Sequence, residues 1–217
     1  MKFSAVIFDM DGLMLDTERT YRDIFNRAAA DCEFEFPDEL HLRLLGRNTA
    51  DMKSIMREVL PDPERYERFM ERSRHHHAIC FAAAPPVKKG LMELLALIEE
   101  RRVPKVVATS TPRKAAIPRL QQCGLLHHFA SVSCGDEVER GKPAPDLFLK
   151  AAATIPMEPG KCIVLEDSEA GVTGAHAAGM TVCMVPDLKQ PADDVRKRAH
   201  GVYESLVQVR EFLESRL

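Results

Sequence analysis

The chain of 217 residues is 45% hydrophobic and 29% charged, with 30 Lys plus Arg against 33 Asp plus Glu. A formal net charge of −3 lacks the basic excess of a general nucleic-acid binder, and apolar content this high with so little net charge excludes a disordered chain. No apolar run approaches the roughly 20 residues of a membrane span, and the N-terminal one meets Asp9 too early for a signal peptide, so a cytoplasmic protein with no membrane partner is expected.

In chain order, residues 3–8 (FSAVIF) form a short apolar run, β-branched in its middle, that predicts a buried strand ending at Asp9, with Gly12 permitting a turn. Residues 17–84 hold no strand pattern. Helical spacings such as Ile24, Phe25, Ala28, Ala29 and Ile55, Met56, Val59, Leu60 run through them, up to Ala84-Pro85-Pro86. That length far exceeds an ordinary connection and predicts an inserted helical cap over 17–86, with the core in 1–16 and 87–217. After it, a stripe at Leu91, Leu94, Leu95 and Ile98 precedes a second strand at 105–109 (KVVAT). A helix over 115–122 stops at Gly124, and a weaker strand follows at 131–134. Leu147, Phe148, Ala151 and Ala152 mark another helix, 162–165 (CIVL) a fourth strand, 170–178 a helix, 181–185 (TVCMV) a fifth strand, and Leu206, Val209, Phe212 and Leu213 a closing helix. Near-continuous apolar strands alternating with helices predict an α/β, doubly wound parallel sheet. The six cysteines form no C-x-x-C pair and read as reduced, small packing residues.

In an open parallel sheet, ligands bind beyond the carboxyl ends of the strands. There stand Asp9 and Asp11 after the first strand, Thr109, Ser110 and Thr111 after the second, and Glu166 and Asp167 after the fourth. Lys142 lies in the loop Gly141-Lys142-Pro143. Four acids close together repel, and hard oxygen donors that need a cation select Mg²⁺. With a lysine and hydroxyls opposite, such a rim suits a dianionic phosphate. A calcium loop starting at Asp9 is excluded, because its fifth, sixth and twelfth positions would be Leu13, Met14 and Thr20.

The stretches VIFDMDGLMLDTE at 6–18, VVATS at 106–110, GKPAPDLF at 141–148 and LEDSEAGVTGAHAAGM at 165–180 resemble, in order, the haloacid dehalogenase superfamily, in the branch with a helical cap after the first strand. The resemblance implies a Rossmann-like core, Asp9 as nucleophile forming an aspartyl-phosphate, and Asp11 as general acid and base. It implies that Thr109 and Ser110 hold phosphate oxygens and that Lys142 offsets charge. It gives Asp9, the Asp11 carbonyl, Asp167 and Glu166 to Mg²⁺. Asp11 sets the chain apart from the dehalogenase and phosphonate-cleaving branches, which lack that acid, and implies a phosphoric monoester hydrolase acting on a small phosphorylated metabolite such as a sugar or nucleoside monophosphate. The alternatives are a sugar phosphomutase like β-phosphoglucomutase, whose hinge histidine would fall at Tyr21, and a non-catalytic protein binding a phosphometabolite. In the cap, Arg47 and Asn48 after Gly46, and His77, are expected to reach the substrate. His75, His76 and His77 cannot close on one metal ion, since successive helical residues point about 100° apart. A monomer or weak homodimer is expected.

Overall fold

The computed structural model describes residues 2–45, 47 and 49–217. Strands β1 (Ala5–Phe8), β2 (Lys105–Thr109), β3 (Val132–Cys134), β4 (Cys162–Glu166), β5 (Thr181–Met184) and β6 (Gly201–Val202) form one parallel sheet in the order β3-β2-β1-β4-β5-β6. Alternation within strands that are apolar throughout builds a core on each face. Val6, Phe8, Val107, Ile163 and Leu165 point to one side. There they meet Leu91 and Leu94 of α5 (Leu91–Glu100), Leu120 of α6 (Arg113–Gln122), and Leu206 and Val209 of α10 (Leu206–Leu213). Ala5, Ile7, Val106, Val164 and Val182 point to the other. They meet Leu147 and Phe148 of α7 (Asp146–Ala153), Val172 of α8 (Glu169–Ala177) and Val195 of α9 (Asp193–Arg198).

The first strand begins at Ala5, later than the sequence predicts, because the Phe3 amide leaves the sheet to donate to the Arg216 carbonyl (2.8 Å). The second strand has the predicted bounds, the third and fifth are a residue shorter, and the fourth extends to Glu166. Strand β6 and helix α9 are additions that no apolar run announces.

Residues between the first two strands fold as α1 (Glu18–Asp31), α2 (Asp38–Leu44), α3 (Thr49–Val59) and α4 (Pro63–Cys80) around a third hydrophobic cluster. Phe25, Phe34, Phe36 and Phe69 fill it, with the Phe36 and Phe69 rings nearly parallel at 6.2 Å. The chain segments that enter and leave this bundle run side by side. The Asp16 amide donates to the Pro86 carbonyl and the Lys88 amide to the Met14 carbonyl, both at 2.8 Å. Lys88 and Arg19 also pair with Asp187, which follows β5, at 2.7 and 3.2 Å, so charge on the core braces both segments. Among the described residues no helix is long and apolar enough to cross a membrane, and all six cysteines are free thiols.

Truncating the fully buried Phe69 to Ala removes the centre of the helical cluster. Phe69→Ala is expected to lower stability by about 3–5 kcal/mol in a denaturant titration followed by circular dichroism. A loss below about 1 kcal/mol would show that these helices do not depend on a core of their own.

Candidate active site

Register alone brings the candidate residues to one rim. Phe8 lies opposite Val107 and Leu165 in the neighbouring strands, so the segments after β1, β2 and β4 emerge next to one another. Asp9 is the first residue past β1. Its amide still donates to the Leu165 carbonyl (3.0 Å), which fixes the backbone from which the side chain projects. Asp9 is 5% exposed, and its carboxylate accepts a hydrogen bond from Lys142.

Lys142 supplies the buried positive charge here. All three of its ammonium donors are used, on Asp9, on Glu166 Oε1 (2.5 Å) and on the Ala108 carbonyl (3.1 Å). The other Glu166 oxygen accepts from the Ser168 amide (2.9 Å) and hydroxyl (3.0 Å). Glu166 is wholly buried with both oxygens engaged, one by Lys142 and the other by Ser168, which makes it an anchor for the Lys142 ammonium. Gly171 makes room for it, since a Cβ at that position would overlap the Glu166 carboxylate.

Asp11 turns toward α6. Its Oδ1 accepts from Arg119 (2.6 Å) and its Oδ2 from the Thr111 hydroxyl (2.6 Å). Thr109 is buried, and its hydroxyl oxygen accepts from the Thr111 amide (3.1 Å), which shapes the loop carrying Ser110. Asp167 reaches the same loop after β1 because residue 12 is glycine. Gly12 has φ +85°, and a Cβ there would overlap the Asp167 carboxylate.

The electrostatics are unbalanced. Burial raises the Asp9 carboxyl well above its ordinary range against the pull of Lys142. Burial, followed by the charges of Glu166, Asp9 and Glu18, does the same to Asp167. Glu18 is pushed up to about 8 by burial and then by Asp11. Five carboxylates (Asp9, Asp11, Glu18, Glu166, Asp167) therefore share two buried cations, Lys142 and Arg119. Among the described residues no three His, Cys, Asp or Glu side chains already close a metal cage. The donor chemistry nevertheless fits Mg²⁺: Asp9, Asp167 and the Asp11 carbonyl are hard oxygens, the acids exceed the cations, and Gly12 leaves open the approach of Asp167.

A cavity of about 290 Å³ opens over this rim. Asp9, Asp11, Thr109, Ser110, Lys142 and Asp167 form its floor, while Tyr21, Phe25, His41, Met52 and His77 from the cap helices form its roof. His77 lies against the Phe81 ring (4.6 Å between centroids), and burial holds it below its ordinary value. Its neighbour His76 instead pairs with Asp31 (2.7 Å) and His75 is exposed, so the three histidines part as helical geometry requires. Arg47 is exposed and borders both this cavity and an adjoining cleft of about 800 Å³. Asn48 lies outside the described residues. The sequence reading missed Glu18, His41, Arg119 and Ser168. Of these, Glu18 and Ser168 lie inside the motifs at 6–18 and 165–180 and carried a local signal, whereas His41 and Arg119 did not.

Residues 6–185 match the haloacid dehalogenase-like hydrolase family. The chain is 31% identical over 211 residues to the phosphorylated carbohydrates phosphatase of Thermotoga maritima, spanning 97% of this chain and 90% of that protein. It is 30% identical over 182 residues to the fructose-1-phosphate phosphatase YqaB of Escherichia coli, spanning 82% of this chain and 94% of that one. Its fold superposes on the crystal structure of β-phosphoglucomutase from Clostridium difficile with a TM-score of 0.82 at 21% identity, covering 99% and 96% of the two chains.

Replacing Lys142 with Met would strand two buried acids. Lys142→Met is expected to cost about 3–5 kcal/mol near pH 8. A carboxyl held above its unfolded value, as Asp9 is, disfavours folding most at high pH, where the buried group must ionise, and the penalty fades as pH falls. The deficit in a denaturant titration should therefore be smaller at pH 5 than at pH 8. A deficit that grows on acidification would contradict this account.

Proposed function

The chain belongs to the haloacid dehalogenase-like hydrolases and is a phosphatase-type enzyme, and within that family we propose that it hydrolyses small phosphorylated metabolites, sugar or nucleoside monophosphates among them, with Mg²⁺ and through an aspartyl-phosphate. The observation that carries this reading is the pair of acids two residues apart with different partners. Asp9 is held by Lys142, and Asp11 is held by Arg119 and Thr111, over one cavity. A group that attacks and a group that transfers a proton need such separate environments.

An Asp9 oxygen attacks phosphorus, a P–O bond to Asp9 forms, and the bond to the ester oxygen breaks. Asp11 delivers its proton to that departing oxygen. Water then takes the alcohol's place, and Asp11 removes its proton as it attacks the aspartyl-phosphate. Inorganic phosphate leaves and Asp9 is restored. Lys142 keeps the attacking carboxylate oriented and balances charge on the transferred group. Thr109 and Ser110, on the cavity floor beside Asp9, would hold the phosphate oxygens. Mg²⁺ held by Asp9, Asp167 and the Asp11 carbonyl would supply the charge that lets two anions, carboxylate and phosphate, approach each other. The cap helices roof the cavity, and a closer approach of them over bound substrate would exclude water, with Arg47 and His77 on the cavity lining to meet the substrate's remaining groups. The cavity volume of about 290 Å³ suits a small monoester rather than a macromolecular one.

Hydrolysis is favoured over the mutase and the silent binding protein. The position of the mutase hinge histidine is Tyr21, a hydroxyl that burial holds far from titration, up to about 12. Pure binding gives Asp11 no task.

Phosphate release should be measured over sugar, nucleoside and glycerol monoesters with Mg²⁺ and no bisphosphate activator. Free phosphate is expected from at least one of them, with loss of activity on chelation and recovery on adding Mg²⁺. Asp9→Asn should reduce turnover by at least about 10²-fold while the circular dichroism spectrum stays unchanged. An isomerised ester with little free phosphate would select the mutase, and turnover retained by Asp9→Asn would remove Asp9 as nucleophile.

A further inference from the structure

We propose that Arg119 is a positioning residue that sets the Asp11 carboxylate and ties it to both ends of the helical cap. The inference rests on Asp11 acting as the acid and base.

Arg119 sits on α6 of the core and is 4% exposed. Its guanidinium spends one arm on Asp11 Oδ1 (2.6 Å) and donates with the other to the Tyr21 hydroxyl (3.2 Å). Its flat face lies 4.1 Å from the centre of the Phe81 ring. Tyr21 lies in the first helix after the chain enters the cap, and Phe81 directly follows the last helix before it leaves. A single rigid, planar group thus contacts the acid and both boundaries of the helical cap. Tyr21 and Phe81 also pack on each other (5.3 Å between centroids), so they present one surface to the guanidinium.

The Asp11 carboxylate is gripped at both oxygens, by Arg119 and by Thr111. Thr111 follows the second strand and fixes Asp11 relative to the sheet. Arg119 fixes it relative to the cap. A proton donor must be placed within about 3 Å of the departing oxygen, and its placement here depends on the partner that contacts both layers. Lysine could keep the charge but not the fork that bridges Asp11 and Tyr21 while stacking on Phe81.

The test uses the full-length chain with Mg²⁺ and compares two esters in single-turnover experiments: an alkyl phosphate such as glycerol phosphate, whose leaving oxygen needs a proton, and p-nitrophenyl phosphate, whose leaving group departs without one. Arg119→Met is expected to slow cleavage of the alkyl ester by about 10²-fold, while the first-turnover burst of p-nitrophenolate stays within about threefold of wild type. Arg119→Lys should recover part of the alkyl-ester rate. Tyr21→Phe, which keeps the ring and loses only the hydroxyl, should slow the alkyl ester several-fold and spare the burst. On an Asp11→Asn background, Arg119→Met should add no further loss, because both changes remove the same placement. Equal losses on the two esters, or additive losses in the double variant, would reduce Arg119 to a packing residue. Should Arg119→Met fail to fold, the Lys and Tyr21→Phe variants carry the same two-ester comparison. An Asp11→Asn enzyme with the wild-type rate on the alkyl ester would overturn the role of Asp11 itself, a failure visible without touching Arg119.

Discussion

The Lys142 ammonium, 3% exposed, stands between the carboxylates of Asp9 and Glu166, and the rest of the site is arranged around it. An ammonium this deep would lose its proton if left alone, since burial lowers its affinity for one. The two acids reverse that and hold it above its ordinary value. The dependence is mutual. Without Lys142, Asp9 would be a buried carboxyl facing Glu166, with nothing to oppose the rise that burial causes. The triad is therefore less a source of stability than a means of drawing the Asp9 carboxyl back toward its charged form and fixing its direction in a place that water scarcely reaches.

The fold makes such a triad attainable with residues distant in the chain. Lys142 lies 133 residues from Asp9 and 24 from Glu166. The parallel register of β1 and β4 brings Asp9 and Glu166 to one level, and the loop between β3 and α7 carries Lys142 across to them, where it also meets the Ala108 carbonyl of β2. Parallel strands need crossovers, and the crossover from β1 to β2 is long enough to hold four helices with their own core. The substrate cavity then has a floor of sheet-end residues and a roof of cap residues. Chemistry can stay fixed in the floor while the roof changes with the substrate. The paired segments at Asp16–Pro86 and Met14–Lys88, braced by Asp187, join that roof to the floor through one narrow connection.

Five of the six strands and the inserted helical region were legible because each rests on a pattern of several residues: an apolar run, a helical stripe, a proline-marked boundary. Strand β6 has two residues, one of them Gly201, and α9 is the charged stretch DDVRKR with Val195 as its buried residue. Neither leaves a periodic trace, and both are held by tertiary contacts. The same division runs through the site. Asp9, Thr109 and Asp167 could be placed from strand ends, and Lys142 from its loop motif. Arg119 could not, because an arginine on a helix reads as a solvated residue. Only an acid 108 residues away reveals that its face turns inward. His41 is similar: it is buried on a helix of only seven residues, and neither ring nitrogen has a hydrogen-bond partner among the described residues.

The two buried cations of the site differ in a way that matches their surroundings. Lys142 is a compact charge whose three donors meet three acceptors converging from separate segments: Asp9, Glu166 and the Ala108 carbonyl. A planar guanidinium could not point donors in those directions without displacing one of them. Arg119 meets a carboxylate and a phenol on one edge and an aromatic face on the other, a set that suits a flat fork and leaves a tetrahedral ammonium with no use for the ring. The choice of cation thus separates the acid pair. Asp9 is tied to the sheet alone, while Asp11 is tied to the sheet through Thr111 and to the cap through Arg119. Asp11 is thus the acid whose cation also meets the cap residues Tyr21 and Phe81, so a shift of those residues bears on its carboxylate before it reaches Asp9.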